Sequence, residues 1–401
     1  YNDEPFGSEA GLAAMSATTL VEYTNHYEKQ DVVVQFDNVA DLPGGSVQAL
    51  VGVEQIENRY SAEYDKHSEG GLVGGSAGNS GFGNRTIDSI FGEVLLPVMD
   101  NLEVTASFRR DDYSDVGEAD SFKLGALWTP VEGTVVKFNT GEGFRAPTMD
   151  DLYGATTFSA NTATDYVACA AAGVSAADCS SKQISTLITA NPNLGPETSE
   201  GFTMSVEQDM GMLVDALDGL TVRFDYYEIT VMDAISSVST QDVMWNEYVG
   251  GSALSNTVNF YDSDGVGSDG SAAGNPVGTG TVGDACPAGA TYYSTIGNDP
   301  AIYATRSCAN GRIDYVGAGF THVGELEVVG NDLFVGYMRD VGPGTMSVQV
   351  DYTSMDEYNT DSFTGSNKKT NNVGFSGTPE MRNNITVGYA WEAYSVALTQ
   401  R

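Results

Sequence analysis

Hydrophobic and polar residues alternate along much of the chain, with the period of two that is typical of a β-strand with two different faces. In the segment 101–113 the apolar residues fall on one face: Leu102, Val104, Ala106 and Phe108. The polar residues between them fall on the other: Glu103, Thr105, Ser107 and Arg109. The same pattern predicts twelve strands, at 31–38, 46–59, 86–98, 101–113, 119–129, 133–144, 199–211, 218–232, 330–340, 344–356, 382–391 and 394–401. Many contain about ten residues, which is the length at which a tilted strand crosses a bilayer.

The connections between these strands differ sharply in length. Short ones are predicted at 38–45, 97–101, 129–133, 211–219, 340–344 and 392–393, and long ones near 61–85, 145–198, 232–331 and 353–381. The connection 114–118 is short where a long one is expected. Tight turns at one end and large loops at the other are the plan of a transmembrane β-barrel. We therefore predict an all-β fold, in which residues 1–401 form one partial antiparallel transmembrane β-barrel domain with the long loops outside the cell.

A soluble antiparallel sandwich is the alternative, since its strands also alternate. Its faces would be either dry or fully solvated, whereas these strands mix Glu, Gln, Thr, Arg and Ser on one side. Loops as long as 232–331 are also rare in compact soluble domains. Both features favour the barrel.

Composition narrows the partners of the chain. It has 18 basic and 55 acidic residues and a formal net charge of −37. Such a charge repels phosphate backbones, so we expect no nucleic-acid partner, and it suits a cell-surface protein. No run of about 18 apolar residues is present, which excludes a transmembrane helix. The chain opens at Tyr1 without an export leader, so we expect a processed or truncated N-terminus.

The four cysteines are Cys169, Cys179, Cys286 and Cys308. They form no CxxC pair and have no histidine at a zinc-binding spacing, which favours disulfides in an oxidising compartment over a metal site. We expect the pairs Cys169–Cys179 and Cys286–Cys308, because each then closes a short stretch within one loop.

Two motifs flank the second long connection. Residues 141–148 read GEGFRAPT and are followed by DLY at 151–153, and residues 191–199 read NPNLGPETS. In this order and across one long loop, the pair resembles the barrel signature of the TonB-dependent outer-membrane receptors. Weaker matches lie at 225–237, 324–333 and 377–382, so the resemblance covers about residues 92–401.

The resemblance implies an importer in the outer membrane of a Gram-negative bacterium, and not an enzyme. External loops and the upper lumen would capture a scarce small nutrient: a siderophore, a vitamin, an oligosaccharide or a peptide. The TonB complex would then act through a plug domain that this chain does not contain, and outer-membrane lipid would surround the barrel. Barrels of this kind have about 22 strands. Because we count twelve, and the chain stops at Arg401 inside a strand, we expect part of a barrel. A passive porin and a soluble acidic surface protein (an adhesin or a calcium-binding domain) are the alternatives.

The motif pair has an architectural interpretation. Proline stops strand pairing, and the Asn-Pro and Gly-Pro pairs turn the chain. We expect the motif residues to clamp the base of the loop, with Arg145 paired to Glu197 across the hairpin. The clamp residues are Phe144, Arg145, Pro147, Asn191, Pro192, Leu194 and Glu197. Direct ligand contact is the alternative.

No cofactor is predicted. The motif pair also resembles haem receptors, in which a histidine lies between the two motifs. The histidines here are His26, His67 and His322, and none of them lies between Pro147 and Asn191, so haem import is disfavoured. The acidic run 262–270 lacks an oxygen ligand at Val266, in the fifth position of a calcium loop, and lacks a closing glutamate, which favours a flexible loop. Aromatic residues in the long loops fit either ligand stacking or loop packing. The sequence shows no recognisable catalytic motif.

Overall fold

The computed structural model describes residues 18–70, 72–73, 76–253, 258–262, 279–280, 290–296, 299–306, 313–322, 324–360 and 370–401. Most of the described chain is β-strand. Four α-helices occur among the described residues, all short except the last: α1 (Lys66–Glu69), α2 (Met149–Tyr153), α3 (Tyr166–Ala171) and α4 (Thr240–Ala253). Two 3₁₀ turns cover Met210–Met212 and Asp215–Leu217. None of the described helices is long and apolar enough to cross a lipid bilayer.

Twelve long strands form one antiparallel sheet in chain order. They are β1 (Val21–Phe36), β4 (Gln48–Tyr64), β6 (Gly81–Met99), β7 (Leu102–Tyr113), β8 (Gly117–Trp128), β9 (Thr134–Arg145), β12 (Glu197–Asp209), β13 (Leu220–Met232), β20 (Leu326–Val341), β21 (Gly344–Thr360), β23 (Met381–Trp391) and β24 (Tyr394–Gln400). The short strand β22 (Thr370–Asn371) pairs with β21, and β2 (Asp41–Leu42) pairs with β3 (Gly45–Ser46) in the first turn.

All twelve predicted strands are present, which confirms the antiparallel barrel-type fold. The first predicted strand, at 31–38, was too short, since β1 begins at Val21. Residues 21–30 are mostly polar on both sides, so they show no clear alternation, yet they pair in register with residues 55–64 of β4. The pairing partner, and not the local pattern, defines this strand. The prediction of about 22 strands for the whole barrel stays a prediction.

The register sorts side chains into two faces, because residues directly opposite each other point to the same side of a sheet. One row crosses seven strands on what we call the apolar face: Leu102, Trp128, Val136, Val206, Phe224, Leu333 and Tyr352. A row on what we call the polar face joins Glu54, Ser89 and Asp111. The predicted alternation in β7 therefore separates apolar from polar side chains across the sheet. That these faces meet lipid and lumen stays a prediction.

Tight turns close one end of the sheet. Gly219 enters β13 at φ +83°, and a Cβ there would lie 2.0 Å from the carbonyl oxygen of Met338, so only glycine fits. Between β23 and β24 the turn has two residues, and Glu392 adopts a left-handed φ of 50°. These turns fix the register of the hairpins that they connect.

Three of the long connections build a second sheet, which we call the loop module. Its strands are β5 (Ser76–Gly78), β10 (Thr157–Thr164), β11 (Ser181–Thr189), β14 (Ile235–Ser237), β15 (Val258–Asp262), β16 (Thr279–Gly280), β17 (Ala290–Ile296), β18 (Asp299–Arg306) and β19 (Ile313–His322). The alternation of the sequence did not predict these strands. Strand β11 runs parallel to β19, which belongs to the next long connection, so the two loops share one sheet.

A cluster of buried hydrophobic residues lies in the loop module. It consists of Ala163, Ile184, Val238, Val243, Met244, Ile313 and Val316. Val316 and Met244 have no exposed surface. The main sheet instead keeps many large apolar side chains exposed on its apolar face, among them Phe108, Phe122 and Phe224. The loop module is therefore held by its own core, and the main sheet by its strand ladders.

Candidate functional site at the loop junction

Arg145 and Glu197 lie directly opposite each other at the ends of β9 and β12. Arg145 Nε is 2.6 Å from Glu197 Oε1, and its Nη2 is 2.8 Å from Oε2, so the pair is bidentate. The backbone N–H of Ile235 donates to the same carboxylate at 2.9 Å. Glu197 thus contacts the ends of two separate long connections.

The remaining residues of the first motif pack around this pair. Phe144 meets the ring of Tyr113 edge-on, with 6.0 Å between centroids. Pro147 is fully buried. Thr148 then starts α2 with a capping box, in which its hydroxyl accepts from the N–H of Asp151 and the Asp151 carboxylate accepts from the N–H of Thr148. The capping explains why the chain leaves the sheet immediately after the motif.

The second motif is held from both sides. The backbone N–H of Asn191 donates to the carbonyl of Asp151 at 2.7 Å, and its side-chain amide donates to the carbonyl of Phe320 at 3.1 Å. Leu194 is buried, whereas Pro192 is exposed at the turn. The motif therefore joins α2 to β19 and lies between the two long connections.

His322 completes the junction. Its Nδ1 lies 2.6 Å from the carbonyl oxygen of Asp233, and the N–H of Gly195 donates to its Nε2 at 3.2 Å. Both ring nitrogens therefore have partners within the junction. The histidine is thus a structural member of the junction.

Arg85 is a buried residue of this site that the sequence did not indicate. Its Nε bonds both carboxylate oxygens of Asp115 at 2.9 Å, and its Nη1 donates to the carbonyl of Pro147 at 2.9 Å. Tyr153 also donates to Asp115, at 3.1 Å. Burial raises the pKa of the Tyr153 phenol, and the neighbouring Asp115 raises it further, so the hydroxyl stays protonated and donates. Arg85 and Asp115 thereby fix both the first motif and the end of α2.

A second ionic cluster lies on the polar face, closer to the tight turns than Arg85. Arg109 Nη2 is 2.6 Å from Glu54 and 2.7 Å from Asp111, and Lys29 Nζ is 2.5 Å from Glu54. Ser89 donates to Asp111 and accepts from Arg109. The alternation predicted the side on which Arg109 lies, but it did not predict these partners.

A cleft of about 720 Å³ opens between the first motif and the polar face. It is lined by Asn25, Ile56, Asn58, Tyr60, Arg85, Ile87, Arg109, Asp111, Tyr113, Phe144, Arg145, Ala146, Pro147, Thr148, Met149 and Asp150. Its charged lining residues and their ion-pair partners comprise three cations (Arg85, Arg109, Arg145) and five carboxylates (Glu54, Asp111, Asp115, Asp150, Glu197). Each of the three lining arginines is in an ion pair.

Cys169 and Cys179 form a disulfide at the end of α3, as predicted, with their Cα atoms 5.9 Å apart. Cys286 and Cys308 lie outside the described residues, as do residues 263–270 of the acidic run. No cluster of potential metal ligands is found in the described part of the chain.

Three loop aromatics pack together. Tyr166 lies edge-on to Trp245 at 5.1 Å between ring centroids, and Tyr248 is 5.6 Å from Tyr166 and 5.7 Å from Trp245. Because all three rings contact one another between α3 and α4, packing accounts for them.

A comparison with known protein families finds a match over nearly the whole chain. The model for "TonB dependent receptor-like, beta-barrel" proteins matches residues 1–399. The chain belongs to the TonB-dependent receptor family. This agrees with the resemblance carried by the two motifs.

Solved structures of other TonB-dependent receptors share the fold. A variant of the ferric enterobactin receptor from Pseudomonas aeruginosa has a TM-score of 0.54 and 15% identity, over 94% of this chain and 41% of that one. The siderophore receptor PirA from Acinetobacter baumannii has a TM-score of 0.50 and 14% identity, over 96% and 42%. This chain thus spans less than half of either receptor. No curated protein sequence matches it.

The sequence indicated part of this junction of the TonB-dependent receptor barrel. The structure brings Phe144, Arg145, Pro147 and Glu197 together with Asn191 and Leu194, whereas Pro192 stays at the surface. The sequence did not indicate Arg85 or His322, because the hydrogen-bond partners of each residue lie far away in sequence. The one available signal for Arg85 was its position in a polar-face row at the start of β6, next to a loop.

Proposed function

We propose that this chain is part of an outer-membrane receptor that takes up a scarce small nutrient with energy from the TonB complex. The observation that supports this most is the family match across the whole twelve-stranded sheet. The TonB complex would act through a plug domain outside this chain. Uptake, and not catalysis, is the role that this architecture favours.

The two faces of the sheet support a place in the outer membrane. The apolar face exposes Phe108, Phe122 and Phe224, and burial of such side chains in lipid is favourable. The polar face carries the cleft and the Arg109 cluster, which suit a water-filled lumen. We assign the apolar face to lipid and the polar face to the lumen.

We also propose that the Arg145–Glu197 pair clamps the base of the ligand-capturing loops. It joins the two ends of one long connection, and Glu197 holds the start of the next through Ile235. Phe144, Pro147, Asn191 and Leu194 shape the same junction, and Pro192 turns the chain at its surface. The residues act by positioning the loops and not by contact with the nutrient.

Uptake assays test the function. Cells that carry the full-length receptor would be given labelled candidate nutrients, with and without a functional TonB protein. We expect accumulation against a concentration gradient that is lost without TonB. Accumulation only to the external concentration, unchanged without TonB, would instead show a passive porin. A protein extracted without detergent would contradict the membrane assignment.

A further inference from the structure

Two buried polar atoms in the wall of the cleft have no hydrogen-bond partner among the described residues, Nη2 of Arg85 and Oδ1 of Asn58. Arg85 is 7% exposed at its side chain, and its other guanidinium nitrogens are bonded to Asp115 and Pro147. Asn58 lies directly opposite Arg85 across β4 and β6, and both residues line the cleft. Buried polar groups are nearly always satisfied in folded proteins, so two unsatisfied atoms on directly opposed residues of the cleft wall indicate a partner from outside the chain.

The two atoms differ in chemistry. Arg85 Nη2 can only donate a hydrogen bond, and Asn58 Oδ1 can only accept one. A hydroxyl group both accepts and donates, so one hydroxyl can satisfy both atoms. A carboxylate or phenolate oxygen can only accept, so it would satisfy Arg85 but would leave the amide oxygen facing a negative charge.

The charge of the cleft also disfavours an anionic ligand. Its three arginines are already in ion pairs, and its charged groups with their partners include two more carboxylates than cations. No uncompensated cation remains among the described residues of the cleft wall. An anion would therefore lose its hydration without gaining a free positive partner.

Aromatic and uncharged polar groups complete the wall. Tyr60 and Phe144 bring ring surfaces to the cleft, and Asn25 adds a further amide. Rings of this kind pack against the C–H faces of cyclic polyols, while amides bond their hydroxyls. The combination of aromatic surface, neutral amides and a donor–acceptor pair matches the surface of a sugar.

We propose that the cleft binds a neutral, hydroxyl-rich ligand, a saccharide, with one hydroxyl bonded between Arg85 and Asn58. The proposal rests on the proposed function, because this saccharide would be the nutrient that the receptor imports.

Calorimetric titration of the full-length receptor in detergent tests the site. The probes are the neutral tetrasaccharides maltotetraose, cellotetraose and xylotetraose, and a ferric tris-catecholate as the anionic probe. We expect a tetrasaccharide to bind and the ferric anion not to bind. Asn58→Ala should weaken saccharide binding about fivefold, the effect of one lost hydrogen bond.

The matched control is Asn139→Ala. Asn139 lies lower on the polar face, in the row that contains Thr105, and does not line the cleft. The Asn139→Ala substitution should leave the affinity for saccharide unchanged. The proposal is overturned if no tetrasaccharide binds, if only the ferric anion binds, or if Asn58→Ala binds saccharide as tightly as the wild type. Retention of the heat-dependent gel shift of a folded barrel shows that each variant is folded.

Uptake with and without TonB separates this inference from the proposed function. TonB-dependent uptake of the ferric anion, with no saccharide bound, would sink the saccharide site and leave the proposed function intact. Saccharide binding with uptake that is indifferent to TonB would support the site and contradict the proposed function.

Discussion

At the scale of single residues, the junction depends on a few side chains that each hold several segments. Glu197 bonds Arg145 and the N–H of Ile235, and Arg85 bonds Asp115 and the carbonyl of Pro147. A charged group that satisfies several partners loses them together when it is removed. Substituting such a group should therefore lower the free energy of unfolding more than substituting a residue that makes a single hydrogen bond.

The Arg145–Glu197 pair allows a direct test of this asymmetry. Glu197→Ala should destabilise the junction more than Arg145→Ala, because it also leaves the Ile235 N–H without its acceptor. Arg145 is 52% exposed, so solvent screens the pair, and we expect a coupling energy of only about 0.5–1 kcal/mol. Urea unfolding of the two single variants and the double variant measures it.

The Arg110–Asp120 pair is a matched control for that cycle. It is also bidentate, at 2.7 and 3.0 Å, but both side chains are about half exposed and the described contacts of Asp120 include no third segment. Arg110 also pairs with Glu118 at 3.4 Å, but both carboxylates lie on β8, so removing either partner should have only a small effect. Equal losses of unfolding free energy in Arg145→Ala and Glu197→Ala would count against the role of Glu197 as a shared anchor.

The Cys169–Cys179 disulfide gives a second prediction at this scale. Because the bridged residues are 10 apart in sequence, reduction should release only the end of α3 and the start of β11. We expect a loss of about 2 kcal/mol in the local free energy of opening. Hydrogen exchange of residues 166–185, oxidised and reduced, measures this. Faster exchange throughout the main sheet would show instead that the bridge supports the whole fold.

At the scale of elements, local alternation was enough to predict the main sheet but not the loop module. Strands β7 and β8 have a clear period of two over residues 102–109 and 121–126, and their boundaries agree with the prediction within about two residues. Strand β11 pairs in parallel with β19, so Thr186 lies opposite Val316, which is 130 positions further along the sequence. No local pattern encodes such a partner. The ion pairs of Arg85 are hidden from the sequence for the same reason.

The assignment of the two faces gives a prediction for β7. Spin labels at positions 104, 106 and 108 should be relaxed by oxygen in the bilayer, and labels at 105 and 107 by a water-soluble nickel complex. Position 110 should be reached by the nickel complex although it belongs to the apolar face, because Arg110 and Asp120 mark the upper edge of the apolar rows. Identical profiles on both faces, or reversed ones, would exclude the lipid assignment.

At the scale of the whole molecule, two kinds of stabilisation coexist. The main sheet depends on antiparallel ladders and exposes apolar side chains such as Phe108 and Leu333. The loop module instead has a buried core contributed by three stretches of chain, which include β11, α4 and β19. A receptor built in this way holds its two largest loops together as one unit above the sheet.

A buried charge in the core of the loop module should separate these two stabilities. Val316 is fully buried between β11 and α4, so Val316→Asp places a carboxylate among Ile184, Val243 and Met244 at a cost of about 3 kcal/mol or more. We expect limited proteolysis to cut within residues 155–190 and 235–322, while the main sheet keeps the heat-dependent gel shift of a folded barrel. Ser237→Asp, at an exposed position of the same module, should leave the cleavage pattern unchanged. Loss of the gel shift in Val316→Asp would show that the sheet cannot fold without the loop module.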